Sequence, residues 1–158
     1  MDETAARLDD TLRLFPGPVT VVGVAAGGVL GGLTASWVTR VSMEPPLMMV
    51  AIGRQRRTWE LLQDATHFTV SMLGEGQVAE ARLFGLKSRR DVDKWAQVPH
   101  DLVGPGQPVL RECAASCLCA IEGRFPAGDH DCLLGRVVEV TRGPLEAPLP
   151  LRGADYAP

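Results

Sequence analysis

Two short stretches bring together residue types able to do chemistry. In Arg54-Gln55-Arg56-Arg57-Thr58, three guanidinium groups and a hydroxyl stand just ahead of a helical pattern. Guanidinium forks match phosphate oxygens, and a helix start adds oriented amide donors, so the combination suits a phosphate group. Taken alone, an arginine run is usually a solvated surface. In Gly128-Asp129-His130-Asp131 an imidazole stands between two carboxylates; this is either a turn histidine tied to a neighbouring acid or a ring held beside a ligand. Cys113, Cys117, Cys119 and Cys132 all fall in the last third of the chain. They lack the C-x-x-C pairing of a zinc knuckle and read as reduced, small apolar residues rather than metal ligands. His67 and His100 read as structural or solvent-facing.

Those residues need elements to position them. Ala6, Leu8, Leu12 and Phe15 recur at near-helical spacing until Pro16-Gly17-Pro18, which predicts a helix over residues 3–15. Residues 19–25 are rich in β-branched side chains, Gly27-Gly28 signals a tight turn, and residues 29–38 resume as the second arm of a hairpin. Pro45-Pro46 interrupts the pattern before a continuous apolar run over residues 47–52, a buried strand. Residues 58–64 read as a helix opened by Thr58, residues 67–73 as a strand and residues 77–84 as a further helix. Residues 85–106 turn polar and irregular, as an excursion that could cover a site. Residues 114–125 and 132–141 form two strand-like segments joined by residues 126–131, and the tail 143–158 is proline-rich. Many short strands without regular strand–helix alternation predict a mainly β, closed antiparallel barrel in one domain over residues 1–158.

Several classes are excluded at this level. Gly23-Val24-Ala25-Ala26-Gly27-Gly28 lacks the Lys-Ser/Thr ending of a phosphate-cradling loop and runs into a strand, so it is a hairpin turn. A net charge of −3 and a pI near 5.6 leave no basic surface for nucleic acid. Met1-Asp2-Glu3-Thr4 is acidic, without the basic start of a secretory signal, and no apolar run reaches membrane-spanning length. The expectation is a cytoplasmic protein with no membrane and no nucleic-acid partner.

The segment Gly31-Gly32-Leu33-Thr34-Ala35-Ser36-Trp37-Val38-Thr39-Arg40-Val41-Ser42-Met43-Glu44-Pro45-Pro46-Leu47 resembles the flavin reductase motif, in which a G-x-T-A-S strand runs into V-S-x-x-P-P-L. The order continues with a buried strand ending in the arginine-rich loop. Phe68-Thr69-Val70-Ser71-Met72-Leu73 resembles the family's F-x-V-N-x-L strand, with Ser71 where Asn is common. The segment from Gly128 to Val137 is similar to its G-D-H-x-x-x-x-G-x-V signature. The likeness spans roughly residues 12 to 141. It implies an FMN-binding split β-barrel, antiparallel and Greek-key-like, with a few peripheral helices.

What the resemblance implies about function is an NAD(P)H-dependent flavin reductase that moves hydride from nicotinamide to flavin N5. FMN is the expected cofactor, FAD its alternative, and NADH or NADPH the co-substrate. Leu33, Thr34, Ala35, Ser36, Trp37 and Ser42 fall in the cofactor-binding set, with Arg54, Arg57 and Thr58 towards the phosphate and Gly128 and Asp129 beside His130. His130 itself is expected to dock the nicotinamide. Small residues at Gly31, Gly32, Ala35 and Ser36 suit the close approach of a backbone to a flat ring. On such a strand Trp37 either flanks the ring or packs in a core or a dimer interface. The family further implies a homodimer and a monooxygenase or other electron acceptor supplied with reduced flavin. Two alternatives remain: a flavoredoxin-like or ferric-reductase carrier with tightly bound FMN, and a flavin-binding protein without turnover.

Overall fold

The computed structural model describes residues 2–87 and 92–152. In chain order its elements are α1 (Glu3–Leu12), β1 (Thr20–Ala26), β2 (Val29–Ala35), β3 (Val38–Ser42), β4 (Leu47–Gly53), α2 (Arg57–Gln63), β5 (His67–Met72) and α3 (Val78–Leu86). A single 3-10 turn (Trp95–Gln97), β6 (His100–Val103), β7 (Gln107–Leu110), β8 (Ala115–Ala127) and β9 (His130–Arg142) follow. Seven strands lie in the order β2-β1-β5-β8-β9-β4-β3, every neighbouring pair antiparallel, while β6 and β7 make a separate hairpin.

The two ends of that row, β2 and β3, are separated in sequence only by Ser36 and Trp37. The chain can pass from one edge to the other in two residues only if the sheet curls until its edges meet. The Trp37 carbonyl accepts from the Ala51 amide at 3.0 Å, so the corner is bonded to β4 as it turns. The residues 29–38 expected as one arm are therefore two strands with a corner between them. The barrel and its antiparallel pairing are as expected.

Strand β1 explains how the wall is built. Its side chains alternate between faces, and both faces are buried. Val22 and Val24 point into the barrel with Leu33, Val50, Ile52, Phe68 and Leu133. Val19 and Val21 point outward into a second core with Leu73, Phe84, Trp95 and Leu110. That outer core corrects the reading of residues 85–106 as an irregular loop or partly ordered excursion. Trp95 is 1% exposed and its indole N–H donates to the Gly31 carbonyl at 2.9 Å, while residues 100–110 pair as the β6–β7 hairpin. Residues 88–91 of that stretch lie outside the described residues.

Other boundaries shift for local reasons. α1 ends at Leu12 and buries none of its residues. α2 begins after Arg56, so Thr58 lies within its first turn instead of capping it. The expected connection over residues 126–131 shrinks to Gly128-Asp129, because Ala127 already pairs with His130. Gly128 adopts a φ of +61° as the first central residue of this two-residue turn, a conformation that suits glycine. Arg124 bridges from β8 to the end of α2, donating to the Leu62 and Ala65 carbonyls.

Candidate functional site

Sheet register brings the chemistry-bearing segments together. Gly53 at the end of β4 pairs with His130 at the start of β9, so the arginine-rich loop leaves the sheet beside the β8–β9 turn. The corner at Ser36–Trp37 is bonded to β4 two residues before Gly53. Between these three segments lies a cleft of about 400 Å³ walled by Leu33, Thr34, Ala35, Ser36, Trp37, Ala51, Gly53, Arg54, Gln55, Arg56, Asp129 and His130.

His130 stands at one rim. Its ring centroid is 4.7 Å from that of Trp37, tilted by 48°, and Trp37 is 65% exposed. Trp37 is therefore an open aromatic face and not a core residue. The Asp129 carboxylate accepts from His130 Nδ1 at 2.6 Å, and this bond holds the Asp129 carboxyl below its usual range. With Nδ1 engaged, Nε2 is left on the inner side, where a Cβ added at Gly53 would stand 3.5 Å from it.

The three arginines of the run go to three different places. Arg54 is spent on the turn itself: Nε and Nη2 donate to Asp131 Oδ1 at 3.0 and 2.9 Å, Nη1 to the Gly128 carbonyl at 2.5 Å, and Nη2 to the His130 carbonyl at 2.9 Å. The second Asp131 oxygen accepts from the Trp59 indole at 2.6 Å. That indole bond and then Arg54 keep the Asp131 carboxyl below its usual range. Arg57 pairs with Glu60 one helical turn on, at 2.6 Å. Arg56 lines the cleft, and its contacts are long ones, Nη2 to the Phe84 and Gly85 carbonyls at 3.4 and 3.5 Å. Burial lowers its pKa from the usual arginine value.

Of the residues expected at the site, Leu33, Thr34, Ala35, Ser36, Trp37, Arg54, Asp129 and His130 wall the cleft. Thr34 does so with its hydroxyl already donated to the Ala81 carbonyl at 2.6 Å. Gly128 meets the site through its carbonyl, as an anchor for Arg54. Arg57 and Ser42 are not among the wall residues; Ser42 sits at the end of β3, beside the irregularity in its pairing with β4. Thr58 is also outside the wall, 3% exposed, and its hydroxyl makes no hydrogen bond among the described residues. Ala51, Gly53 and Gln55 wall the cleft without having been singled out, and Arg56, expected only as one of the three arginines of the run, walls it too. The register of β4 with β9 places them, and sequence carries no sign of register beyond the hairpin turn.

Comparison with known proteins identifies the family and agrees with the fold. The family model of the flavin reductase like domain matches residues 12–156. An NADH-dependent FAD reductase from Streptomyces globisporus is 37% identical over 82% of this chain and 72% of its own length. The reductase component of 4-hydroxyphenylacetate 3-monooxygenase from Thermus thermophilus is 31% identical over 89% of this chain and 87% of its own. Of three other curated relatives the chain spans between 48% and 73%. The structure of a Streptomyces globisporus NADH:FAD oxidoreductase with NAD and FAD fragments superposes with a TM-score of 0.78, at 33% identity, covering 91% of this chain and 87% of that one. The chain belongs to the flavin reductase like domain family.

Proposed function

We propose that the protein is an NADH-dependent flavin reductase that works on FMN, with FAD as the alternative flavin, and that its cleft is where the two nucleotides meet. One observation carries the reading: an exposed Trp37–His130 rim and the Arg56 side chain line a single cleft together with Leu33, Ala35 and Ala51. A flat ring with a charged tail asks for that combination of apolar wall and cationic end. The donor set fits as well, since the Ser36 hydroxyl and the Gln55 amide make no hydrogen bond among the described residues and remain available to a ligand.

A bound flavin supplies the hydride acceptor, N5, and nicotinamide the hydride, so the protein's own task is positioning and charge stabilisation. Trp37 and His130 offer a rim against which a second ring docks. Asp129 fixes the imidazole through Nδ1 and leaves Nε2 toward Gly53 in the cleft wall, free to hydrogen-bond a ligand. Arg54 does not meet ligand charge; it locks Gly128, His130 and Asp131 into one turn and thereby fixes the imidazole. Arg56 is the cation left for a phosphate.

The name of the Thermus relative supports delivery of reduced flavin to a monooxygenase. A homodimer is part of the same proposal. α1 buries nothing in its own subunit while Leu8, Leu12 and, just beyond it, Phe15 are 61%, 55% and 72% exposed, and β9 exposes Val140. Apolar surface of this kind calls for a partner, and a second copy satisfies it isologously. No helix among the described residues is long and apolar enough to cross a membrane, and the four cysteines are unpaired, which supports a reducing, cytoplasmic setting.

The deciding experiment is anaerobic oxidation of NADH and NADPH by purified protein with FMN or FAD, against a protein-free control. Rapid bleaching of the flavin is the expected result. Bound flavin that stays oxidised in the presence of both nicotinamides would overturn the reductase reading.

A further inference from the structure

Among the described residues Lys94 is the only charged side chain that is fully enclosed, at 3% exposure. Its ammonium donates to the Gly32 carbonyl at 3.1 Å and to the Phe84 carbonyl at 2.9 Å, and stands 5.7 Å from the Phe84 ring centroid. Phe84 lies in the last turn of α3, where carbonyls lack partners within the helix and favour cations. Arg56 reaches the same Phe84 oxygen from the other side at 3.4 Å, and the Gly85 oxygen at 3.5 Å. Two positive groups thus share one acceptor, and no carboxylate among the described residues pairs with either.

A cap for α3 needs one cation, not two. Placing a second, half-buried positive charge against the first costs free energy that three neutral carbonyls only partly recover. The arrangement makes physical sense if an anion completes it, and the opening beside Arg56 is the cleft. We propose that Lys94 is a positioning residue for anion recognition: by occupying the Phe84 carbonyl it leaves Arg56 free to face the cleft, and it supplies the second positive charge that makes this end of the cleft select a doubly charged phosphate monoester over its uncharged analogue. The inference rests on the flavin reading above and deepens it.

The titration of Lys94 points the same way. Burial first, and the charge of Arg56 second, push its pKa down to about 8. Among the described residues β2 presents the Gly32 carbonyl to it, α3 the Phe84 carbonyl and ring, and the loop ahead of α2 presents Arg56, the one charged group of those described that acts on it. A phosphate dianion at Arg56 opposes that repulsion, so binding raises the pKa of Lys94 again. Proton uptake therefore accompanies binding above about pH 8, and affinity for the dianion falls by up to about ten-fold per pH unit there.

The test compares FMN with riboflavin, which share the ring and differ in the phosphate. Calorimetric titration at about pH 8.5 in two buffers of different ionisation enthalpy counts the protons exchanged. For the wild-type protein, uptake with FMN and none with riboflavin is expected, and this arm needs no substitution. Lys94→Met should abolish the uptake and reduce the FMN-to-riboflavin affinity ratio at neutral pH by about ten-fold. Lys94→Arg should keep the ratio while removing its pH dependence. Absence of uptake in the wild type, or a Lys94→Met protein that keeps both the uptake and the ratio, overturns the inference. If both flavins bind equally, the flavin reading stands and this inference alone fails; if neither binds, both fail.

Discussion

Replacing each arginine of the 54–57 run by alanine separates three roles that look alike in sequence. Arg56 is the only one of the three that lines the cleft without a carboxylate partner among the described residues, and its contacts of 3.4 and 3.5 Å are at the long limit for hydrogen bonds. Its guanidinium can turn to a phosphate without breaking anything strong. A hydrogen bond to a charged group contributes roughly 1.5–3 kcal/mol, and at 1.4 kcal/mol per decade Arg56→Ala should weaken FMN by roughly 10- to 100-fold. Riboflavin, without the phosphate, should change by less than about three-fold on the same scale.

Fluorescence titration of the two flavins reads this directly. Arg57→Ala removes only a pair with Glu60 on the α2 surface, and should leave both affinities within about two-fold, as exposed pairs contribute little. Arg54→Ala is the third pattern. It frees Gly128, His130 and Asp131 together, so it should weaken the two flavins alike and raise the KM for NADH. A loss of FMN affinity at Arg57 as large as that at Arg56, or equal losses of FMN and riboflavin at Arg56, would refute the assignment.

His130→Ala should raise the KM for NADH while leaving FMN affinity nearly intact, and an unchanged KM and kcat would remove the imidazole from the site. Gly135→Ala places a Cβ 2.7 Å from both the Phe68 ring and the Cys119 Cβ; calorimetric or denaturant unfolding should register a loss of about 1–3 kcal/mol. Ser71→Ala deprives the buried Leu110 amide of its acceptor, now at 3.2 Å, and should cost about 1–3 kcal/mol of stability without altering flavin affinity. An effect of Ser71→Ala on flavin binding at full stability would show that the residue acts at the site and not in the β5–β7 contact.

Much of the barrel was legible because strand chemistry is local. The hairpin at Gly27-Gly28 follows from two glycines that both adopt positive φ, 57° and 77°. The buried strand over residues 47–52 follows from its uninterrupted apolar run. What stayed hidden depends on contacts distant in sequence. Trp95, in a stretch that reads as polar and irregular, is buried because Gly23 and Gly32 leave room for its ring against β1 and β2 and its indole finds the Gly31 carbonyl. Trp37 has the residue type of a core anchor and is 65% exposed, because it occupies the two-residue corner where the sheet closes.

The division of labour among the arginines shows why residue type and spacing alone could not name the ligand-facing cation. All three carry the same fork, and the run leaves the sheet with each pointing a different way. The outcome is decided by which anion or carbonyl each meets first. Asp131 and the turn carbonyls come within reach of Arg54 because Gly53 pairs with His130, and Glu60 is one helical turn from Arg57. Arg56 stands between them as the residue preceding α2, and among the described residues its polar contacts are with the end of α3 alone. That end is already occupied by Lys94, which arrives from a segment ten residues further along the chain. A cation is thus left at the cleft by exclusion: its neighbours in sequence are neutralised and its neighbour in space is positive. The selectivity expected of the site follows from that imbalance of charge, with the barrel register as its cause.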